Sequence, residues 1–307
     1  MKLRILFGFM TVLAVVALDP LPVLCGTVSP RVETHTVASS DGVPIVYDVQ
    51  GKGPVTLVFV HCWACNRHFW RNQTTSFSRR YRVVTIDLGG HGDSGEDRKA
   101  WTVPSLARDV IAVADDLKLR RMILVGHSLG GRVCLRAAPL MKGRVLGVVL
   151  VDIMHDASRR VTEAEAQADV AKLRSDYKGY FSDLSPLFSK TADPGVVHWV
   201  EAQAMASAPE PMIGLKLDIP NEDPADLFRQ AGVPIRAINA LPPLSDATNI
   251  AGNKRYADYE VIFVPDAGHF LMLERPAAFN RALARWVRVL SGGHGILPQV
   301  KKAGDAL

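Results

Sequence analysis

Arg121-Met-Ile-Leu-Val-Gly-His-Ser-Leu-Gly-Gly-Arg132 is the stretch that decides the fold, because an apolar strand pattern runs into Gly126-His-Ser128-Leu-Gly130 and then into a helix-like sequence. In such a strand–turn–helix unit the serine takes a strained backbone conformation that lifts its hydroxyl above the sheet. Glycines two residues to either side let the neighbouring backbone pass closely. The helix that follows directs free N–H groups and the positive end of its dipole toward a developing negative charge. The pattern predicts that Ser128 is a nucleophile.

The rest of the chain alternates strand and helix patterns. Residues 34–50 predict an antiparallel strand pair around the turn Ser40-Asp-Gly42. Short apolar runs predict buried strands at 55–60, 81–87, 121–126, 145–151, 233–238 and 259–264. Helical spacing predicts helices at 103–118, 249–257 and 276–290. We therefore predict a doubly wound, mostly parallel α/β sheet whose core is formed by residues 34–152 and 231–290.

The alternation stops between residues 153 and 230, where the sequence is rich in Ala, Asp and Glu and has helical stretches at 161–176 and 195–207. This pattern predicts a helical cap inserted after the sixth strand. Such a cap would line an apolar pocket over Ser128. Four side chains are candidates for pocket lining or for ordinary core: Phe181, Trp199, Met205 and Met212. Residues 291–307 are expected to form a flexible tail.

The first residues have the pattern of a secretory signal peptide over residues 1–25. A charged start, Met1-Lys-Leu-Arg4, precedes an apolar stretch at 5–18 and a break at 19–22. We expect a secreted or periplasmic protein without a stable membrane span in the mature chain, although an uncleaved anchor is the alternative. A lipid anchor at Cys25 is disfavoured, because Leu24 stands where a small residue is expected.

Composition sets a few limits on function. The chain has 307 residues, 48% of them hydrophobic, and a formal charge of +5 that is spread without a dense basic run. Charge alone therefore gives little support to nucleic-acid binding. Cys62-Trp-Ala-Cys65 has the spacing of a redox motif or of half a metal site, yet there is no second cysteine pair. A small-loop disulfide is the other reading, and Cys134 is expected in the core.

A serine hydroxyl needs a histidine to take its proton and return it to the leaving group. His269 is the candidate, because it follows the last predicted strand in a glycine-bordered loop. A carboxylate should orient His269, and two remain open: Asp246, after the seventh strand, and Asp152, at the end of the sixth. Both keep the chain order Ser, Asp, His. The backbone N–H groups of Leu129 and Trp63 are the candidate oxyanion-hole donors.

These residues together resemble the α/β-hydrolase superfamily, as a serine esterase-like or lipase-like member with a helical cap, over most of residues 40–290. Four motifs in order carry the resemblance: His61-Cys-Trp63, Asp87-Leu-Gly-Gly-His-Gly-Asp-Ser94, Gly126-His-Ser-Leu-Gly130 and Gly268-His269. The chain departs from the usual pattern at Cys62, where glycine is usual, and in lacking an acid motif directly after the seventh strand. A serine at position 128 argues against epoxide hydrolases and haloalkane dehalogenases, which use aspartate.

The resemblance implies acyl transfer to water through an acyl-serine, with no metal and no organic cofactor, on a small-molecule carboxylic ester. The same catalytic groups also serve the hydrolysis of lactones, amides and thioesters, the cleavage of carbon–carbon bonds in diketones, and perhydrolysis. A ligand-binding or signalling protein on the same fold is the non-enzymatic alternative. A redox protein built on Cys62 and Cys65 is a third reading.

Overall fold

In a computed structural model, which describes residues 31–241 and 248–292, the described strands form one eight-stranded sheet. The strands are β1 (Val32–Ala38), β2 (Pro44–Gln50), β3 (Thr56–Val60), β4 (Arg82–Ile86), β5 (Met122–His127), β6 (Val145–Val151), β7 (Ile235–Leu241) and β8 (Tyr259–Pro265). Their order across the sheet is β1-β2-β4-β3-β5-β6-β7-β8. The pairs β1–β2 and β2–β4 are antiparallel, and the other neighbours are parallel.

Helices connect the strands. They are α1 (Arg71–Phe77), α2 (Val103–Asp116), α3 (Leu129–Ala137), α4 (Glu163–Ser175), α5 (Tyr177–Tyr180), α6 (Pro194–Met205), α7 (Pro209–Asp218), α8 (Pro224–Gln230), α9 (Ile250–Tyr256), α10 (Leu271–Glu274) and α11 (Pro276–Leu290). Five of them, α4 to α8, lie between β6 and β7 in the chain.

The central strands are buried on both faces because helices cover both sides of the sheet. Val58 of β3 belongs to the cluster that contains Leu106 of α2 and Val133 of α3. Its neighbour Phe59 belongs to the opposite cluster, with Trp286 of α11. Successive side chains of a strand point to opposite faces, so a continuous apolar run fills both layers. The predicted doubly wound, mostly parallel α/β sheet is confirmed.

Several predictions from sequence concern residues outside those that the structure describes. The predicted signal peptide at 1–25, Asp246, and the predicted tail beyond its first two residues lie outside the described residues. The helical stretches predicted at 161–176 and 195–207 correspond to α4 and α6, whereas α1, α5, α7, α8 and α10 were not predicted. Within the described ranges, the helices are too short or too polar to cross a membrane.

Candidate active site

Ser128 occupies the sharp turn between β5 and α3. Its backbone has φ 51° and ψ −118°, a conformation that costs a non-glycine residue about 1–3 kcal/mol. The turn is held because the Ser128 N–H donates to the carbonyl of Val151 at 3.0 Å. A Cβ on Gly126 would overlap the carbonyl of Gly130, and a Cβ on Gly130 would overlap that of Val60. Both glycines are therefore needed for α3 to pack this closely against the strand ends.

His269 and Asp152 are in direct contact, although 117 residues separate them in the chain. His269 Nδ1 lies 2.7 Å from Asp152 Oδ2. The other carboxylate oxygen, Oδ1, accepts a hydrogen bond from the Ala240 N–H at 3.0 Å and lies 3.2 Å from His155 Nε2. Asp152 is only 3% exposed. Of the two predicted acids, this is the one that the structure places against the histidine, and Asp246 lies outside the described residues.

The protonation of this pair follows from its surroundings. Burial raises the pKa of Asp152, but the hydrogen bonds from His155, His269 and Ala240 together hold that pKa well below its usual value. The carboxylate is therefore ionised and can only accept hydrogen bonds. Nδ1 of neutral His269 must then carry the proton, which leaves the lone pair on Nε2 free.

Three residues hold the loops around this pair. His127 Nε2 lies 2.8 Å from the His269 carbonyl, and burial keeps the His127 pKa far below its ordinary value, so the ring is neutral and Nε2–H donates. The Glu274 carboxylate accepts hydrogen bonds from the backbone N–H groups of Gly268 at 3.0 Å and Ser189 at 2.9 Å. Asn253 donates to the Met154 carbonyl at 3.0 Å, next to the acid. None of these was predicted, because their partners, apart from Gly268, lie far from them in sequence.

The loop after β3 carries Trp63. The sulfur atoms of Cys62 and Cys65 are bonded to each other across Trp63 and Ala64. Nδ1–H of His61 donates to the Cys62 carbonyl at 2.7 Å, and Nε2 accepts from the Leu88 N–H at 3.1 Å. Burial lowers the His61 pKa to about 4, so this ring is neutral. The hydrogen bonds of His61 after β3 and the disulfide within the loop fix the position of Trp63.

Both candidate oxyanion donors are available. Among the residues that the structure describes, the backbone N–H groups of Leu129 and Trp63 donate no hydrogen bond within the protein. Leu129 is the first residue of α3, where N–H groups have no partner inside the helix. The Trp63 indole is held separately, since its Nε1 donates to the Met212 carbonyl at 3.0 Å.

One cavity of about 540 Å³ brings these groups together. The lining includes Ser128, His269, Leu129, Trp63 and the disulfide. The segment between β6 and β7 contributes mostly apolar residues to the lining, among them Phe181, Leu184, Val200, Leu215 and Ile219. Of the four side chains considered for pocket lining, Phe181 lies here, whereas Trp199, Met205 and Met212 do not.

Other predicted candidates lie elsewhere. Trp199 packs on Phe69 with ring centroids 4.6 Å apart. Cys134 is buried and unpaired in α3, as expected of a core residue. Within residues 31–241 and 248–292, no group of three or more His, Cys, Asp or Glu side chains is arranged to hold a metal ion.

Comparison with known proteins bears on the family and the fold of the chain. A sequence model described as "Alpha/beta hydrolase family" matches residues 57–282. A non-heme chloroperoxidase of Streptomyces lividans is 38% identical over 122 residues, which are 38% of this chain and 43% of that protein. A pimeloyl-[acyl-carrier protein] methyl ester esterase of Edwardsiella ictaluri is 27% identical over 255 residues, 77% of this chain and 94% of that one. The chain spans 43%, 66% and 31% of the length of three of the curated relatives that it matches.

A solved structure gives the same result for the fold. A thermophilic esterase from Thermogutta terrifontis superposes with a TM-score of 0.73 at 21% identity, covering 84% of this chain and 99% of the esterase.

Proposed function

The chain belongs to the alpha/beta hydrolase family, and on this premise we propose that it is a serine hydrolase that cleaves carboxylic esters through an acyl-serine intermediate. The observation that carries the proposal is the 2.7 Å contact between His269 and Asp152 on the cavity that Ser128 also lines. The assigned roles are nucleophile for Ser128, general base and acid for His269, and orienting carboxylate for Asp152.

In the first half-reaction, His269 Nε2 takes the proton from the Ser128 hydroxyl while Oγ attacks the ester carbonyl carbon. The carbonyl electron pair moves onto oxygen, where the N–H groups of Leu129 and Trp63 stabilise the negative charge. Asp152 stabilises the imidazolium and remains ionised throughout. His269 then gives its proton to the leaving alkoxide, so the alcohol departs and Ser128 is left acylated.

The second half-reaction repeats these steps with water. His269 takes a proton from a water molecule, whose oxygen attacks the acyl carbon. Collapse of the second oxyanion breaks the bond to Oγ, and the same proton returns to Ser128. The Ser128 and His269 side chains make no direct hydrogen bond to each other in the described part of the chain, and such bonds often tighten only when substrate is bound.

Asp152 is the acid of this proposal for two reasons. Its Oδ2 faces His269 Nδ1, and its other oxygen is held by the Ala240 N–H, so the carboxylate has one orientation. The similarity to an esterase over 77% of the chain supports an ester as the substrate class.

We also propose that the protein is exported, on the basis of the signal-peptide pattern at 1–25. The pairing of Cys62 with Cys65 supports an oxidising compartment, where such bonds persist.

The experiment is hydrolysis of p-nitrophenyl esters of increasing acyl length by the wild type, Ser128→Ala and Ser158→Ala. Ser158 is an exposed serine that bonds to Asp156, so its variant serves as a matched control. A fluorophosphonate probe read by intact mass reports the reactive serine independently of the substrate. We expect turnover and labelling in the wild type and in Ser158→Ala, and neither in Ser128→Ala.

Absence of both turnover and label in the wild type would contradict the proposal and favour the ligand-binding alternative. Turnover that survives in Ser128→Ala would contradict the serine mechanism.

A further inference from the structure

Arg132 is a second polar group on the cavity, and the ester-cleaving chemistry does not use it. It lies on α3 four residues after Ser128, about one helical turn along the chain. Its side chain lines the same cavity and the residue is 7% exposed. The positive charge of Arg132 therefore lies beside the reacting groups and is largely shielded from water.

The Arg132 guanidinium forms no ion pair with the residues that the structure describes. Its Nη1 is buried and has no hydrogen-bond partner within the described ranges. Glu222 attracts the guanidinium electrostatically, but its carboxylate is bonded to Arg136 Nη2 at 2.5 Å.

The other charged groups on the cavity wall differ from Arg132. Lys216 is paired with Asp169, with Nζ 3.0 Å from Oδ2, and it also lies 4.6 Å from the Trp63 ring. Asp183 is exposed. Among the charged residues that line the described cavity, Arg132 is therefore the one that is buried and has no ion pair.

A buried charge without a partner is strongly unfavourable, so it requires a compensating interaction. Burial lowers the pKa of Arg132, yet an arginine remains protonated in proteins. A guanidinium presents a planar pair of donors that matches the two oxygens of a carboxylate. A bound carboxylate would supply the missing partner.

We propose that the ester substrate carries a carboxylate, which pairs with Arg132 while the ester group lies at Ser128. This inference rests on the proposed function. The apolar wall of Phe181, Leu184 and Leu215 would contact the short methylene chain that joins the two groups. The substrate class is therefore a monoanionic ester, with the carboxylate on either the acyl or the alcohol part.

The test compares anionic esters with neutral analogues of the same shape. Monoethyl adipate places the carboxylate on the acyl part, and the butanoate ester of an ω-hydroxybutanoate places it on the alcohol part. In each matched analogue a methyl ketone replaces the carboxylate. Proton release in a pH-stat gives kcat/KM for the wild type, Arg132→Gln and Arg132→Lys, with Arg281→Gln as a control that removes an exposed arginine from α11.

We expect the wild type and Arg281→Gln to prefer one anionic ester over its ketone by about 10- to 100-fold, the range of one charge-assisted hydrogen bond. Arg132→Gln should lose that preference, and circular dichroism melts show whether the variant is folded. Arg132→Lys should recover part of the preference. If the wild type hydrolyses each anionic ester and its matched ketone with equal kcat/KM, the proposal is overturned.

Failure of the proposed function gives a different result, because no ester would then be hydrolysed. Calorimetric titration with adipate still tests Arg132 in that case. Binding by the wild type that Arg132→Gln loses would support the carboxylate site, and absence of binding by the wild type would overturn it.

Discussion

Replacing Asp152 by asparagine should abolish most of the turnover while leaving the site nearly unchanged in shape. The Ala240 N–H donates to Oδ1 of Asp152, so the asparagine should keep its carbonyl oxygen there and turn its NH₂ group toward His269. Nδ1 of His269 would then have to accept a hydrogen bond, and the proton would move to Nε2. That nitrogen could no longer take a proton from Ser128.

The size of the effect can be worked from the charges. At a separation of about 4 Å and an effective dielectric constant of about 20, the attraction between the carboxylate and an imidazolium is about 4 kcal/mol. This corresponds to about 10³-fold in rate. The wrong tautomer adds to that loss, and amidation of the corresponding acid in serine proteases costs about 10⁴-fold in turnover. We expect Asp152→Asn to lose about 10³- to 10⁴-fold in kcat.

The assay is kcat on the best p-nitrophenyl ester, with circular dichroism melts to establish folding. Asp156→Asn is the matched control, since Asp156 also follows β6 but bonds to Ser158. Asp246→Asn tests the other candidate acid. The reasoning would be refuted if Asp246→Asn lost about 10³-fold while Asp152→Asn kept most of its turnover.

Three further predictions concern the surroundings of the site. The double variant Cys62→Ala/Cys65→Ala should lose about 2 kcal/mol of unfolding free energy, the amount expected for a loop of about four residues. Its kcat should fall about tenfold, because the Trp63 N–H is no longer held. Dithiothreitol should reproduce the loss in the wild type. Gly130→Ala should cost about 3 kcal/mol or more in urea unfolding, because its Cβ overlaps the carbonyl of Val60. Burial, with repulsion from His61, lowers the His91 pKa to about 3. Only the unfolded chain therefore binds a proton there below about pH 6.5, and the folded state loses stability as the pH falls. His91→Asn should reduce the slope of unfolding free energy between about pH 6 and 5 by about 1 kcal/mol per pH unit.

The disulfide and Gly130 predictions each have a control in the same chain. Cys134→Ala changes the unpaired cysteine. Dithiothreitol should lower the kcat of this variant as much as it lowers the kcat of the wild type. Gly143 has φ +78°, and no atom of the described residues lies within 4 Å of the point where its Cβ would stand, so Gly143→Ala should cost only the backbone strain of about 1–2 kcal/mol. Equal costs for the two glycine variants, or an unchanged pH slope in His91→Asn, would contradict the packing and titration arguments.

Prediction from sequence worked best where the apolar periodicity and the residues that start or end an element agree. The helix predicted at 276–290 is found at Pro276–Leu290, since a proline starts it and a strong apolar face continues it. The helices α7 and α8 were missed, because they are short and their burial depends on neighbours rather than on a clean apolar face. Each nonetheless begins with a proline, and the Asp223 side chain caps α8. That start signal was available in the sequence.

The site was predicted unevenly for a similar reason. Ser128 and His269 are marked by local glycine patterns that a tight turn requires, so single motifs identify them as candidates. The choice of acid depends on how β6 and β8 lie in space, and no local pattern reports that distance. The unpaired state of Arg132 could not be predicted either, because it depends on Glu222 being bonded to Arg136.

The position of Asp152 has a consequence for exchanging parts between relatives. The acid stands at the point where the chain leaves β6 toward the helices α4 to α8, and the next residues are pinned from α9: Asn253 bonds to the carbonyl of Met154 and to the N–H of Ala157. A chimera that takes a foreign segment from residue 153 onward would remove the support of its own acid. Grafts of new specificity should therefore join after Ala157, so that the donor sequence changes the cavity wall and leaves the proton-transfer groups in place.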